Sequence, residues 1–404
     1  ELKETPEFIK HKENEFPSQQ TVEAFLSSDN LDETSTGRRD FLKFLGFSVA
    51  AATLAACEAP VTKAVPYVVK PEHVTPGMPT WYASTYYDGS SYASILVKTR
   101  EGRPIFIKGN KDFGLTKGAV NPQIIASILG LYDSARLTGP MEKGKSVSWA
   151  SVDGTITKAL KSAKSVTLLS NTIISPTLQK QIDEMSMTLS VNGQTFNHIQ
   201  YDAVSYAAIR NANAQNFGAA VIPSYNFSKA QTIVSIGADF LGTWLLATEY
   251  TKQYGLTRNP DSKSMSKHFQ FESFMSLAGS NADYRAMTKP SDYAAVLSYL
   301  IKGLNGKCAV KSDLDSATKK IADQALLSLK SSKAKSLVVC GSNNTGLQLL
   351  TNQLNQLLGA YGTTIDLSND LKLFKSDDAK VIALAANVIS GKGPDALMFL
   401  GVNP

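Results

Sequence analysis

The chain is poor in sulfur and imidazole. Its 404 residues contain three cysteines, Cys57, Cys308 and Cys340, and four scattered histidines, His11, His73, His198 and His268. Three thiols are too few for a Cys-ligated iron–sulfur cluster together with any other thiol chemistry, and too few for a disulfide scaffold. Without a Cys-x-x-Cys-His there is no covalent c-type haem. Isolated histidines do not assemble a His-rich metal site. No Gly-x-Ser-x-Gly elbow or Gly-x-Gly-x-x-Gly fingerprint occurs, and no Gly-Lys-Ser/Thr follows the loop Gly237–Gly242, so no nucleophile–base pair is marked and that loop is not marked as a phosphate loop.

What is present is an ordinary globular composition, 43% hydrophobic and 19% charged, in a chain long enough for two or three domains. The net charge of +6 conceals an asymmetry. Residues 1–35 hold nine carboxylates against Lys3, Lys10 and Lys12, so this acidic head stands at −6 and the remainder at +12. The basic residues are scattered. Lys158, Lys161 and Lys164 have the spacing of a solvated helix face, and no basic and aromatic residues interleave as nucleic-acid binding requires. Acidic lipid headgroups and acidic protein surfaces both remain open as partners of the basic body.

The most specific local pattern is Thr36-Gly37-Arg38-Arg39-Asp40-Phe41-Leu42-Lys43. The Arg38-Arg39 pair with Phe41 and Leu42, followed by an apolar run, reads as a twin-arginine export signal. The run Phe44–Ala56 has 13 residues. At ~1.5 Å per residue it covers roughly 20 Å, short of a ~30 Å hydrocarbon core. Leu54-Ala55-Ala56-Cys57 then looks like a lipobox, with Cys57 as the acylation candidate. The expected location is the outer, periplasmic side of a bacterial inner membrane.

Beyond residue 57, residues 58–80 are rich in proline and read as an extended linker. Residues 81–140 read as a small hairpin and helix region. Its strands run through Ser94–Thr99 and Ile105–Gly109, with a turn at Glu101-Gly102-Arg103-Pro104, and a helix opens at Asn121-Pro122. From 141 to 404 short β-branched runs alternate with helical stretches. Strands are expected at Ser165–Leu169 and Ala396–Leu400 and buried strands at Thr232–Ile236 and Ser336–Cys340, and helices open at Ser175-Pro176 and Gly346. This alternation predicts a doubly wound, mostly parallel α/β sheet. The pattern stops at Pro404, just past a strand, as if the natural chain continued.

Two loops follow buried strands, where an open α/β sheet binds ligands: Gly237–Gly242 and Cys340–Gly346. Tight strand-to-loop turns and a Ser or Asn helix cap explain them equally well. His268, among aromatics, reads as a hydrogen-bonded structural residue, and Cys308 and Cys340 as small apolar ones.

Several short stretches then point to a family. They are Thr5-Pro6-Glu7-Phe8 with Glu15-Phe16-Pro17, Val65-Pro66-Tyr67-Val68, Glu101–Pro104 with Lys108-Gly109-Asn110, and Leu131-Tyr132-Asp133. Further along come Ser235–Trp244, Gln270-Phe271-Glu272 with Met275-Ser276-Leu277, and Asn281–Arg285. In this order the chain resembles the N-terminal part of the molybdopterin-oxidoreductase-like, iron–sulfur subunit of bacterial alternative complex III. The resemblance implies sheet domains of the molybdopterin-oxidoreductase type, in a membrane-bound assembly that oxidises quinol and passes electrons to a cytochrome c or terminal oxidase. It implies as partners a ferredoxin-like portion of the same polypeptide that holds iron–sulfur clusters, multihaem cytochrome c subunits and polytopic quinol-binding membrane subunits. Active relatives carry a cysteine cluster site near the first hairpin, whereas the window Trp81–Ala93 has no cysteine. The expectation is therefore a catalytically silent copy of the fold, with no catalytic, cofactor or metal residues in this segment. Two alternatives stand beside it: an active molybdopterin oxidoreductase with Ser or Asp on the metal, and an exported α/β protein binding a small ligand.

Intact mass of the chain isolated from its native membrane tests the address segment. A chain starting at Cys57 with added acyl mass is expected; one that still includes Glu1 refutes lipidation at Cys57.

Overall fold

Alternation of residues over 80–109 builds the first element of the fold. In the computed structural model, which describes residues 72, 74, 75, 77–262 and 264–403, strands β1 (Thr80–Tyr87), β2 (Tyr92–Arg100) and β3 (Arg103–Gly109) pair antiparallel in that order. The chain divides into two units, Glu1–Lys70 and Pro71–Pro404. The acidic head, Arg38, Arg39, Phe41, Leu42, Cys57, His11 and His73 lie outside the described residues. The expected β2–β3 hairpin is present, with a narrower turn. Arg103 and Pro104 already pair with Arg100 and Thr99, leaving Glu101 and Gly102 at φ 52° and 76°. Positive φ at both central residues is what a two-residue type I′ turn needs, and Pro104 is tolerated because β3 is an edge strand. One face of this sheet packs Ala93, Ile95 and Ile107 on Ile124 of helix α1 (Pro122–Ala126). Asn121 caps that helix by accepting the Ile124 N–H at 2.8 Å. The helix then tightens into a 3₁₀ turn, Ser127–Leu131.

After a short hairpin, β4 (Met141–Glu142) with β5 (Lys145–Ser146), strands and helices alternate. In chain order come α2 (Trp149–Ser162), β6 (Ser165–Ser170), α3 (Pro176–Val191), β7 (Thr195–Gln200), α4 (Ala207–Phe217), β8 (Pro223–Tyr225) and β9 (Thr232–Ile236). There follow α5 (Ala247–Thr257), β10 (Lys267–Glu272), α6 (Leu277–Ser280), β11 (Tyr284–Met287), α7 (Tyr293–Gly303) and α8 (Ser316–Ser332). Last are β12 (Ser336–Cys340), α9 (Thr345–Leu358), β13 (Ile365–Asp370), α10 (Asp378–Ile389) and β14 (Ala396–Leu400). The class is mixed α/β, as expected, but the parallel strands form two sheets. One has the order β11-β10-β9-β12 and the other β14-β6-β7.

Each parallel sheet starts from a central strand, steps one way, then returns to the other edge. β9 leads to β10 and β11 on one side, while β12 pairs with its other side. β6 leads to β7, while β14 returns to pair with the other side of β6. Each sheet therefore has a switch point, between β9 and β12 and between β6 and β14. In the larger sheet both faces are covered, so β9 is buried along its whole length. Val234, Ile236, Phe269 and Phe271 face Val296 and Leu300 of α7 and Ala325 and Leu329 of α8. Ile233, Leu337 and Val339 join Phe240, Trp244 and Tyr250 on the opposite face.

Lys267–Glu272 alternates polar residues with phenylalanines, which reads as half-exposed, yet His268, Gln270 and Glu272 are all buried. Truncating Phe271, which is fully buried, is expected to cost about 3–5 kcal/mol. Truncating the 45%-exposed Phe106, which meets Trp81 edge-on, is expected to cost about 1 kcal/mol. Urea unfolding of Phe271→Ala and Phe106→Ala measures the difference, and equal losses would contradict this packing.

Candidate functional site

Both switch points open onto one cleft of about 890 Å³. Its walls include Gly237 and Asp239 after β9, Gly341 and Asn343 after β12, Asn171 after β6, Tyr201 and Asp202 after β7, and Gly401 after β14. Carboxyl ends of parallel strands are where open α/β sheets bind ligands, because the diverging loops leave a crevice there. The structure thus brings together the two loops singled out from sequence. It adds Asn171 and Gly401, for which the sequence carries no signal beyond following apolar runs.

The loops approach closely. A Cβ on Gly341 would lie 2.1 Å from the Gly237 carbonyl oxygen, so residue 341 must be glycine while these loops touch. Gly237 and Gly401 take φ of 63° and 65°, which glycine adopts without steric cost. Leu245, on the cleft wall, is at φ 48°, a strained conformation for a residue with a Cβ.

Three carboxylates line the cleft, and each braces a loop. Asp88 accepts Ser90 N–H at 2.8 Å, Ser91 N–H at 2.7 Å, Tyr86 O–H at 3.0 Å and the Gln123 amide at 2.7 Å. Burial pushes its pKa up, but the bonds from Ser91, Ser90 and Tyr86 outweigh that and hold it below the usual carboxylate range. Asp202 accepts Thr172 N–H and Ser376 N–H at 3.1 Å each, and the Thr172 hydroxyl at 2.8 Å. Asp239 accepts Ala278 N–H at 2.8 Å, while its own carbonyl receives Gly242, Thr243 and Trp244 N–H. Beside them Asn343 takes Ala208 N–H at 2.9 Å and donates to Asp378 at 3.0 Å. Asn344 is the N-cap of α9, accepting Leu347 N–H at 3.2 Å. Of the two readings of the Cys340–Gly346 loop, the cap is thus realised. Among the described residues lining the cleft there is no lysine, arginine, histidine or cysteine.

Neither described cysteine lines the cleft. Cys340 is buried at the end of β12, where burial pushes its thiol up to about 11; Cys308 is half-buried against the helix cluster. Among the described residues no group of three or more His, Cys, Asp or Glu is placed to hold a metal ion. No described helix is long and apolar enough to cross a membrane.

No family model and no curated protein matches this chain.

The short motifs that carried the resemblance meet one another in space. Gln270 donates to Glu272 at 2.9 Å, Ser276 Oγ donates to Glu272 at 2.6 Å and Arg285 Nε at 2.6 Å. Asp283 receives His268 N–H at 2.8 Å and pairs with both ends of the Arg258 guanidinium at 2.8 and 2.9 Å. Tyr132 O–H donates to the Pro104 carbonyl at 2.6 Å, joining two further motifs. In the sequence these residues stand only as short separate motifs, since their contacts link different elements.

His268 lies inside this network as the structural residue expected. Its Nε2 is 3.1 Å from Gln270 Oε1 and its Nδ1 is 3.3 Å from the Tyr254 hydroxyl. Gln270 turns its NH₂ toward Glu272, so Nε2 of the neutral ring carries the proton. Burial pushes the imidazole pKa down to about 4, from an ordinary value of 6.5. The folded state therefore binds fewer protons than the unfolded state between those values. The stability this contributes is complete above 6.5 and is lost as pH falls toward 4. Glu249, on a separate hollow of about 330 Å³, behaves oppositely, since burial pushes it up to about 7. His268→Gln is expected to flatten the fall in stability between pH 6.5 and pH 4, read by urea unfolding across that range. Parallel curves for variant and parent would exclude His268 as the cause.

Proposed function

We propose that this chain is a non-catalytic, scaffold-like subunit of the molybdopterin-oxidoreductase fold, working in a membrane-bound quinol:cytochrome c or terminal-oxidase electron-transfer complex of the alternative complex III type. The observation that carries this reading is the chemistry of the cleft. A pterin dinucleotide brings phosphates and a metal that takes a thiolate or oxygen ligand. Three carboxylates line the cleft, with no lysine, arginine or histidine among its described lining residues, so bound phosphates would meet like charge. The residues present do not fit that group, and no electron-transfer step is assigned to them.

In this proposal the parallel sheets supply shape. The clusters belong to a ferredoxin-like portion of the same polypeptide and haem c to multihaem partners. Polytopic membrane subunits bind the quinol. The chain reaches the periplasmic face by the twin-arginine route, through Arg38, Arg39, Phe41 and Leu42, with Cys57 as its lipid anchor. A second reading is favoured by the cleft itself: 890 Å³ suits one small polar ligand, and the absence of cations among its described lining residues selects an uncharged or cationic one.

Affinity purification of the full chain from its native membrane tests the first reading. Multihaem cytochromes and polytopic membrane proteins are expected to co-purify. Oxidative extraction of the separated chain is expected to release no fluorescent pterin, with molybdenum far below one atom per chain. Stoichiometric molybdenum, or a chain that purifies alone with a ligand-dependent rise in melting temperature, overturns the proposal.

A further inference from the structure

The outer face of the β1–β3 sheet carries a patch that the proposed scaffold role does not use. Register places Trp81, Lys98 and Phe106 in one row across the three strands, and Ala83, Leu96 and Lys108 in a neighbouring row. Directly paired residues share a face, so these six side chains stand together, opposite the face that packs Ile95 and Ile107. The Lys108 ammonium sits 4.1 Å from the centre of the Trp81 ring, and Lys98 lies at 5.9 Å. Phe106 meets Trp81 edge-on at 6.5 Å. Large apolar side chains continue around the hairpin end: Met78, Trp81, Ile105 and Phe106 are 63%, 38%, 47% and 45% exposed. Arg100 and Arg103 flank the turn, and its single carboxylate, Glu101, is bonded to Gly77 N–H.

We propose that this face docks on an anionic lipid surface. Contiguous exposed apolar side chains mark an interaction site. An acidic protein segment would satisfy the cations but leave the rings and Ile105 in water. A bilayer interface satisfies both, taking the rings at the level of the headgroups and acyl boundary while lysine and arginine reach the phosphates. The proposal deepens the membrane-surface location and rests on that reading for the presence of a bilayer. The patch itself stands on the sheet alone.

The test uses the full chain carrying Cys57→Ser, so that no acyl chain contributes, and Trp149→Phe, so that Trp81 is the exposed indole. Vesicles of phosphatidylglycerol with phosphatidylethanolamine are compared with phosphatidylcholine vesicles by co-sedimentation. Binding to the anionic vesicles is expected, with Trp81 emission shifted to the blue and quenched by brominated lipid. Lys98→Gln with Lys108→Gln is expected to weaken partition by tenfold or more. Trp81→Ser with Phe106→Ser is expected to weaken binding while leaving the far-ultraviolet circular dichroism spectrum unchanged, since neither side chain belongs to a buried core cluster. No binding to the anionic vesicles, equal binding to both vesicle types, or undiminished binding of the lysine variant overturns the proposal. Capture of polyglutamate without vesicle binding reassigns the face to an acidic protein and also overturns it. None of these outcomes bears on which subunits co-purify, so the two proposals fail separately.

Discussion

A buried carboxylate organises the larger sheet. Glu272, 2% exposed at the end of β10, is an ion taken out of water. Such a group costs several kcal/mol unless paired and hydrogen-bonded on most of its lone pairs. Arg285 from β11, Ser276 from the connecting loop and Gln270 from the same strand all donate to it. Meeting those bonds dictates the route from β10 to β11. Ser276 becomes the cap of α6, and Gly279 passes so close that a Cβ there would lie 1.8 Å from Glu272 Oε1. The same route delivers the Ala278 N–H to Asp239 and so shapes one wall of the cleft. Burial alone raises the pKa of Glu272, yet the donors hold it below the ordinary value, so it stays charged inside the fold.

The carboxylates of the cleft repeat this arrangement at smaller scale. Asp88, Asp202 and Asp239 tie loops to one another through backbone N–H groups. The cleft is thereby held open as a shaped crevice between two switch points, a property a scaffold and a ligand-binding fold share.

Much of the fold was legible because it is local. The β-branched runs at Thr232–Ile236 and Ser336–Cys340 are buried strands, since both faces of a parallel strand are covered and every residue is apolar or small. Ser175 and Asn344 announce their helices through the N–H groups they cap a few residues away. The Glu101-Gly102 turn was marked by its glycine. What was hidden in strand β10 is its burial, because its polar residues are satisfied by distant partners: His268 by Tyr254 of α5, and Glu272 by Arg285 of β11. Composition cannot separate such a strand from a half-exposed one.

Sequence alone determined the supply of chemistry: how few thiols and imidazoles exist, where apolar runs occur, and which loops follow them. These are counts and short-range patterns, which no fold can change. Tertiary structure decided that the parallel strands split into two sheets, that both switch points face one crevice, and that each of its three aspartates accepts a backbone amide of a neighbouring loop. It also decided that Trp81, Lys98 and Phe106 form one row. Each of these depends on strand pairing between residues far apart in the chain, where a shift of one register position would send every side chain to the other face.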